Sequence, residues 1–398
     1  MAARAGLEAQ GRSTRWGFTL SIVSITAMMA GASAPSPFYP VLAEAIGFDA
    51  VAITMIFAIY ALTLLLTLLI AGSLSDHIGR RPVASVGLVL LAASVFIFWH
   101  ADTVPLLVIA RVVQGVASGL LLSAVSAAIT DFEPPSRPGS AAVWNAVAPM
   151  VGLGLGALAA GVVLDLFSHA LAVIFAPLVV LYLVLAVLFW FIPETAPRKP
   201  GAIRSLRFKL TVPESMRGDF LRGAPAIFAG WATGGLFLSL GANIVHTELG
   251  GQAHAWQGLS VGVLAGSGAV AAFLLRRRSA RTISIYGTAA LAVGTALSLL
   301  ALAAGSLPAY LLAVAVTGSG FGTAFFGVVS SLAPHIPATE RADVFAVIFL
   351  VSYLAFGIPT VIAGALVPVF GLTAVTYGYG AVVIVLAGLA SLLRVRRQ

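Results

Sequence analysis

The sequence contains no cysteine, which excludes disulfides and thiolate-bound metal sites. Charge is scarce as well: 9% of the 398 residues are charged, where a soluble domain carries roughly 25%. A water-facing surface cannot be built from so few charges, so most of the outer surface must face something else. Acidic residues are the fewest, 14 against 22 Lys and Arg, and none falls in the middle of an apolar run. A His and acid cluster with metal-ligand spacing, a nucleophile motif and a phosphate-binding loop are all missing too. Those absences argue against an integral-membrane enzyme.

Apolar residues make up 60% of the chain, in runs near the roughly 20 residues that a spanning helix needs. Runs such as Val179–Phe191 lack the alternation of a membrane β-strand. Turn residues and charge punctuate the chain into twelve predicted spans: 17–39, 51–71, 82–100, 105–129, 142–163, 172–192, 224–246, 257–275, 282–303, 308–331, 343–366 and 373–393. Arg4, Arg12 and Arg15 precede the first apolar run, which continues for more than 20 residues without a short core and small-residue cleavage site. It reads as an uncleaved first span rather than a signal peptide.

The basic residues then sort by side. They fall in the N-terminal tail, in connectors 2–3 (Arg80, Arg81), 4–5 (Arg137), 8–9 (Arg276, Arg277, Arg278, Arg281) and 10–11 (Arg341), in the stretch between spans 6 and 7, and in the C-terminal tail. With twelve spans all of these lie on one face, and the positive-inside rule makes that face cytoplasmic, with both termini. The net charge of +8 is thereby a matter of topology, and a nucleic-acid partner loses its support. Arg111, inside span 4, is the one basic residue left over. An intramembrane Arg points to function by default; the plainer reading is an Arg held by backbone carbonyls or snorkelling to the interface.

The halves also repeat. At an offset near 203, Gly115 and Gly119 of span 4 fall on Gly318 and Gly322 of span 10, and Gly161 of span 5 falls on Gly364 of span 11. The expected fold is all-α integral membrane, twelve transmembrane helices as two pseudo-symmetric six-helix bundles: residues 1–192, a cytoplasmic loop 193–222, and residues 223–398.

Gly72-Ser73-Leu74-Ser75-Asp76-His77-Ile78-Gly79-Arg80-Arg81 resembles the signature loop between helices two and three of the major facilitator superfamily, with His77 where Arg or Lys is usual. Arg111-Val112-Val113-Gln114-Gly115 resembles the family's fourth-helix motif, and Pro193-Glu194-Thr195 its end to helix six. The run from Gly152 through Gly156 to Gly161 is similar to the fifth-helix motif of its twelve-helix drug/proton antiporters, with Ala157 at the usual Pro. The resemblance implies a gating latch of Gly72, Asp76, Gly79, Arg80, Arg81 and Asp131. In it the Asp docks against the start of helix eleven, and Arg80 pairs with Asp131 at the end of helix four. It also implies a secondary transporter working by alternating access, needing no cofactor and coupled to protons.

The leading expectation is therefore efflux of a small organic or drug-like compound from a bacterial inner membrane, by a monomer whose partners are its substrate and the bilayer. The alternative is an importer or facilitator of an anionic organic solute, with Arg111 as counter-charge. Candidate transport and coupling residues are Arg111, Gln114, Glu44 and Asp165; the two acids could equally be solvated loop carboxylates. Gly152, Gly156 and Gly161 are helix-packing candidates, since small faces let membrane helices approach. Pro35, Pro37 and Pro40 free backbone carbonyls near the end of span 1, which is tolerable beside a cavity or partner helix. Tyr39, Asn145, Asn243, His246 and Tyr353 are cavity candidates, His246 reading equally as an interface partner of Glu248.

Overall fold

The computed structural model describes residues 2–197, 199–202, 213–332, 336 and 341–395, and the regular structure among them is helical. Among the described residues eleven helices are long and apolar enough to cross a membrane. A bent pair, Met216–Ser239 with Gly241–Glu248, completes a twelfth span if taken as one. The protein is a multi-pass membrane protein, and large apolar side chains such as Leu166, Leu274, Leu300 and Leu312 stand exposed around its outside.

Two predicted spans differ from what forms. The first was expected to run through residue 39, but its helix Ala2–Ser33 stops ahead of a turn, and a short helix Phe38–Ile46 follows. Pro35 and Pro37 lack the N–H that would continue the ladder. The seventh was expected over 224–246, but its helix starts at Glu214 behind Pro213, inside the stretch read as loop. It stops at Ser239, and after a 61° bend the chain continues through Gly241–Asn243 and a π-turn, Ile244–Glu248. π-turns are a recognised source of such bends. Elsewhere the starts follow capping chemistry: the Asp49 carboxylate accepts from the Ala52 N–H at the head of span 2, and Ser279 does the same for Thr282 at the head of span 9.

The glycines that recur at the offset near 203 have a packing cause. A Cβ at Gly115 or Gly119 would run into Tyr60, Thr63, Leu64 and Thr67 of span 2, and one at Gly318 or Gly322 into Leu264, Ser267 and Gly268 of span 8. Gly161 of span 5 leaves room for the His254 carbonyl of span 8, while Gly364 of span 11 leaves room for Thr54 of span 2. Within each half, then, the fourth helix lies against the second, and across the halves the fifth helix of one meets the second of the other.

Buried side chains divide the same way. One large cluster draws only on residues between Phe18 and Ile192, and further clusters lie among residues of the second half. Two clusters straddle the seam. Val147 packs on Ala269 and Ala272, and a central group joins Ala32, Phe57, Tyr60, Leu64 and Ala157 to Leu238, Val261, Tyr353 and Phe356.

Candidate functional site

Pro35 cannot donate to the carbonyl four residues earlier, that of Gly31, and the Gln114 carboxamide takes it instead at 2.9 Å. The Ser36 N–H turns to the Ser33 carbonyl, and the neighbouring Ala32 carbonyl accepts from Arg111 Nη1 at 3.4 Å. Arg111 also donates from Nε to the Tyr39 hydroxyl at 3.1 Å, from Nη2 to the same oxygen at 2.5 Å, and from Nη1 to Gln114 Oε1. Its guanidinium lies 5.5 Å from the Tyr60 ring centre and 5.6 Å from those of Tyr39 and Phe98. Arg111, Gln114 and Tyr39 thus converge on the proline-broken end of span 1. The hydrogen-bond partners of the guanidinium, Tyr39, Gln114 and the Ala32 carbonyl, are neutral, and the residue is 1% exposed.

Tyr60 links this cation to the central seam, where rings from both halves gather. Phe57 lies 4.8 Å from Phe356, and Trp231 lies 4.9 Å from Tyr353 and 5.6 Å from both Phe356 and Phe325. Half-buried Trp231, Leu68, Leu69, Leu153, Phe349 and Leu350 pack around the cluster. One turn from Val261 on span 8, Gln257 is buried, and neither end of its carboxamide has a partner.

At the arginine-poor end of the seam, Asp165 at the last turn of span 5 accepts from the backbone N–H groups of His254 and Ala255, both at 2.8 Å, and from His254 Nδ1 at 2.9 Å. It caps the first turn of span 8, a helix of the other half, whose exposed N–H groups favour an anion. Ser36 adds a second tie between the halves, donating to the Leu238 carbonyl at 2.9 Å. Glu44 stands exposed on the short helix Phe38–Ile46.

The arginine-rich end carries the signature loop. Gly79 has φ +108°, a conformation that favours glycine, and a Cβ there would meet the Glu194 carboxylate. That carboxylate accepts from the N–H groups of Arg80 at 2.7 Å and Arg81 at 3.1 Å, capping span 3. Arg80 reaches Asp131 at 3.2 Å, Ser75 at 2.7 Å and Asp76 at 2.5 Å, and Thr195 donates to Asp131 at 2.7 Å. Asp76 is half-exposed, and its ion-pair partner among the described residues is Arg80. The expected docking of Asp76 on the start of span 11 falls at Arg341 and Ala342, whose side chains lie outside the described residues. Gly72 closes span 2, and Arg81 stacks 5.5 Å from the Trp190 ring.

The remaining candidates scatter. Gly152 and Gly156 let span 5 approach the Thr26 and Ala30 carbonyls of span 1, while Gly161 serves span 8, so the three do not share one partner. Asn145 donates to the Ser126 carbonyl at 3.3 Å. Asn243 and His246 sit on the bent part of span 7, half-buried. Glu248 accepts from Thr373, the bond the structure gives it in place of a pairing with His246. Sequence reading missed Tyr60, Trp231, Phe356, Gln257 and the capping role of Glu194. No local pattern marks an aromatic residue of an apolar helix as facing a seam.

Among the described residues no group of three or more His or acid side chains could hold a metal. The family model described as Major Facilitator Superfamily matches residues 21–360. The quinolone resistance protein NorA of Staphylococcus aureus is 26% identical over 98 residues, 25% of either chain. The multidrug resistance protein MdtL of Shewanella oneidensis is 28% identical over 121 residues, 28% of this chain and 31% of that protein. The matches thus span about a quarter to a third of the length of these curated relatives. Over 96% of the chain, the fold superposes with TM-score 0.74 and 13% identity on 97% of a bacterial homologue of the human lysosomal transporter Spinster, solved inward-facing and unoccupied. With a match over most of its length, this chain belongs to the Major Facilitator Superfamily.

Proposed function

We propose that this protein is a secondary transporter that exports a small organic or drug-like compound in exchange for protons. Its twelve spans form two pseudo-symmetric six-helix bundles, residues 1–192 and 223–398, joined by the cytoplasmic loop 193–222. It works as a monomer in a bacterial plasma membrane with both termini inside. The observation that carries the reading is the seam, where spans 5 and 11 each present a glycine to the other half around a shared aromatic centre. Two rigid halves meeting along such a seam can rock, exposing the centre to one side at a time.

The two ends of the seam have separate restraints. Asp165 and Ser36 bridge the halves at one end, and the loop of Gly72, Asp76, Gly79, Arg80 and Arg81, with Asp131, gathers spans 2, 3 and 4 at the other. Of the coupling candidates, Asp165 is the carboxylate that joins the halves, and protonating it would remove the charge that caps span 8. Arg111 and Gln114 brace the neighbouring end of span 1. Export is the direction suggested by the two relatives, both named for drug resistance.

The test is expression in a bacterial host stripped of its own pumps, challenged with a panel of toxic compounds, then uptake into everted vesicles. Resistance to at least one compound is expected, with vesicle loading that needs an acid interior and is abolished by a protonophore. Heightened sensitivity with cellular accumulation would make the protein an importer. Loading indifferent to the protonophore would remove the proton from the cycle.

A further inference from the structure

We propose that the centre of the seam takes flat aromatic compounds that are neutral or anionic and carry a hydrogen-bond acceptor, and that it turns organic cations away. This rests on the transporter reading and adds the substrate class.

The aromatic preference follows from what lines the centre. Trp231 is half-buried among Phe325, Tyr353 and Phe356, all within 5.6 Å of its ring, with Leu68, Leu153 and Phe349 beside the cluster. A ligand admitted between these rings as the halves part would meet ring faces and aliphatic surface, and very little that a sugar or a zwitterion could bond to.

The charge preference comes from Arg111. Ring faces by themselves attract cations. Here, however, the Tyr60 ring, part of the same cluster, already faces the guanidinium at 5.5 Å, and the polar partners of Arg111 are all neutral. Among the described residues no carboxylate pairs with it. The described acids lie in connectors or near helix ends, and Glu8 and Glu340 fall in the N-terminal tail and connector 10–11 of the sequence. In a poorly polarisable interior an unmatched unit charge acts over many ångströms, repelling a second cation and favouring an anion or a dipole turned towards it.

The acceptor requirement comes from Gln257. Its Nε2 and Oε1 are buried, and both lack a partner. Leaving a carboxamide unbonded in apolar surroundings opposes folding, so packing alone does not account for Gln257. Val261, one turn away, packs with Ala32, Ala157 and Leu238 in the central cluster. This position lets the free N–H groups serve a carbonyl or carboxylate on a bound ring.

The experiment uses the purified full chain, three probes on one ring system, and equilibrium binding at fixed pH. The probes are 2-naphthoate, 2-naphthamide and 2-naphthyltrimethylammonium. The first two should bind and the cation should bind at least about tenfold more weakly, a factor worth roughly 1.4 kcal/mol. Leu153→Asp, which adds a carboxylate beside the cluster, should raise the cation to the level of the amide. Gln257→Leu should bind naphthoate and naphthamide about tenfold more weakly while melting no lower than the parent, because it removes an unbonded buried amide. A residue with only a structural role would lower the melting temperature and leave affinity alone. The proposal is overturned if the cation binds as tightly as naphthoate to the parent protein, or if Gln257→Leu binds all three probes unchanged. If none of the three binds while the resistance panel shows export of cationic toxicants, the substrate class is wrong and the transporter stands. If the panel shows no transport at all, both fall.

Discussion

The guanidinium of Arg111 is bonded to Tyr39, Gln114 and the Ala32 carbonyl, and it faces three aromatic rings, so it is solvated by the protein with no counter-ion among the described residues. Removing it would strand a backbone carbonyl, a hydroxyl and a carboxamide oxygen together. Arg111→Ala is therefore expected to destabilise the protein, by about 1–3 kcal/mol for each buried acceptor left unbonded. Arg111→Lys should cost less, because the charge survives, but the fork that reaches Tyr39 from two nitrogens is lost. Thermal unfolding in one detergent, with all three proteins side by side, checks the order. If Arg111→Ala melts with the parent, the network is not holding span 4 to span 1.

At the scale of elements, the break in span 1 and the carboxamide on span 4 form one device. Gln114 takes the Gly31 carbonyl because Pro35 has no N–H to give it. Gln114→Leu should then be costly in the parent and milder in a Pro35→Ala background, where the restored N–H can return to Gly31. The coupling from a double-mutant cycle is expected at about 0.5–3 kcal/mol, and additive effects would separate the two residues. The cap on span 8 is a second such device. Asp165→Asn keeps an acceptor and loses the charge, so about 0.5–2 kcal/mol of capping should disappear. Because Asp165 ties span 5 to span 8, that loss should appear as easier opening of the arginine-poor end. The chain has no cysteine, so Val261→Cys supplies a silent-background reporter at the buried seam. A membrane-impermeant maleimide added outside intact cells should label it faster when Asp165 is Asn, and equal rates would reduce Asp165 to a local cap.

For the molecule as a whole, the distribution of arginine sets the expected orientation. Apart from Arg111, the basic residues fall in alternate connectors, in the helix ends that adjoin them and in the two tails, which the positive-inside rule assigns to the cytoplasm. A reporter that matures only in the cytoplasm, fused at the C-terminus, should be active, and one that requires export should be silent. The opposite result would invert the ends of the seam and assign Asp165 to the inner side.

Composition and punctuation were enough to mark the spans, because a bilayer core forces backbone groups into continuous apolar helices. Glycine spacing was enough to mark where helices approach closely in spans 4, 5, 10 and 11, since such approach needs the missing side chain wherever it recurs. The carbonyls freed by Pro35, Pro37 and Pro40 were legible too, though the span was expected to run on through residue 39, and so was the oddity of Arg111. What binds Arg111 was not, because Tyr39 lies 72 residues away along the chain and its hydroxyl looks like any other until the helices are assembled. Asp165 reads in sequence as a loop acid at the end of span 5, and only the docking of the second half supplies the N–H groups of His254 and Ala255, 89 and 90 residues on. The same holds for Tyr60, Trp231, Phe356 and Gln257, each set in a helix with hardly any polar face to give a phase. In an apolar helix the lipid side and the protein side carry similar residues, so which side meets the seam is decided by packing between helices.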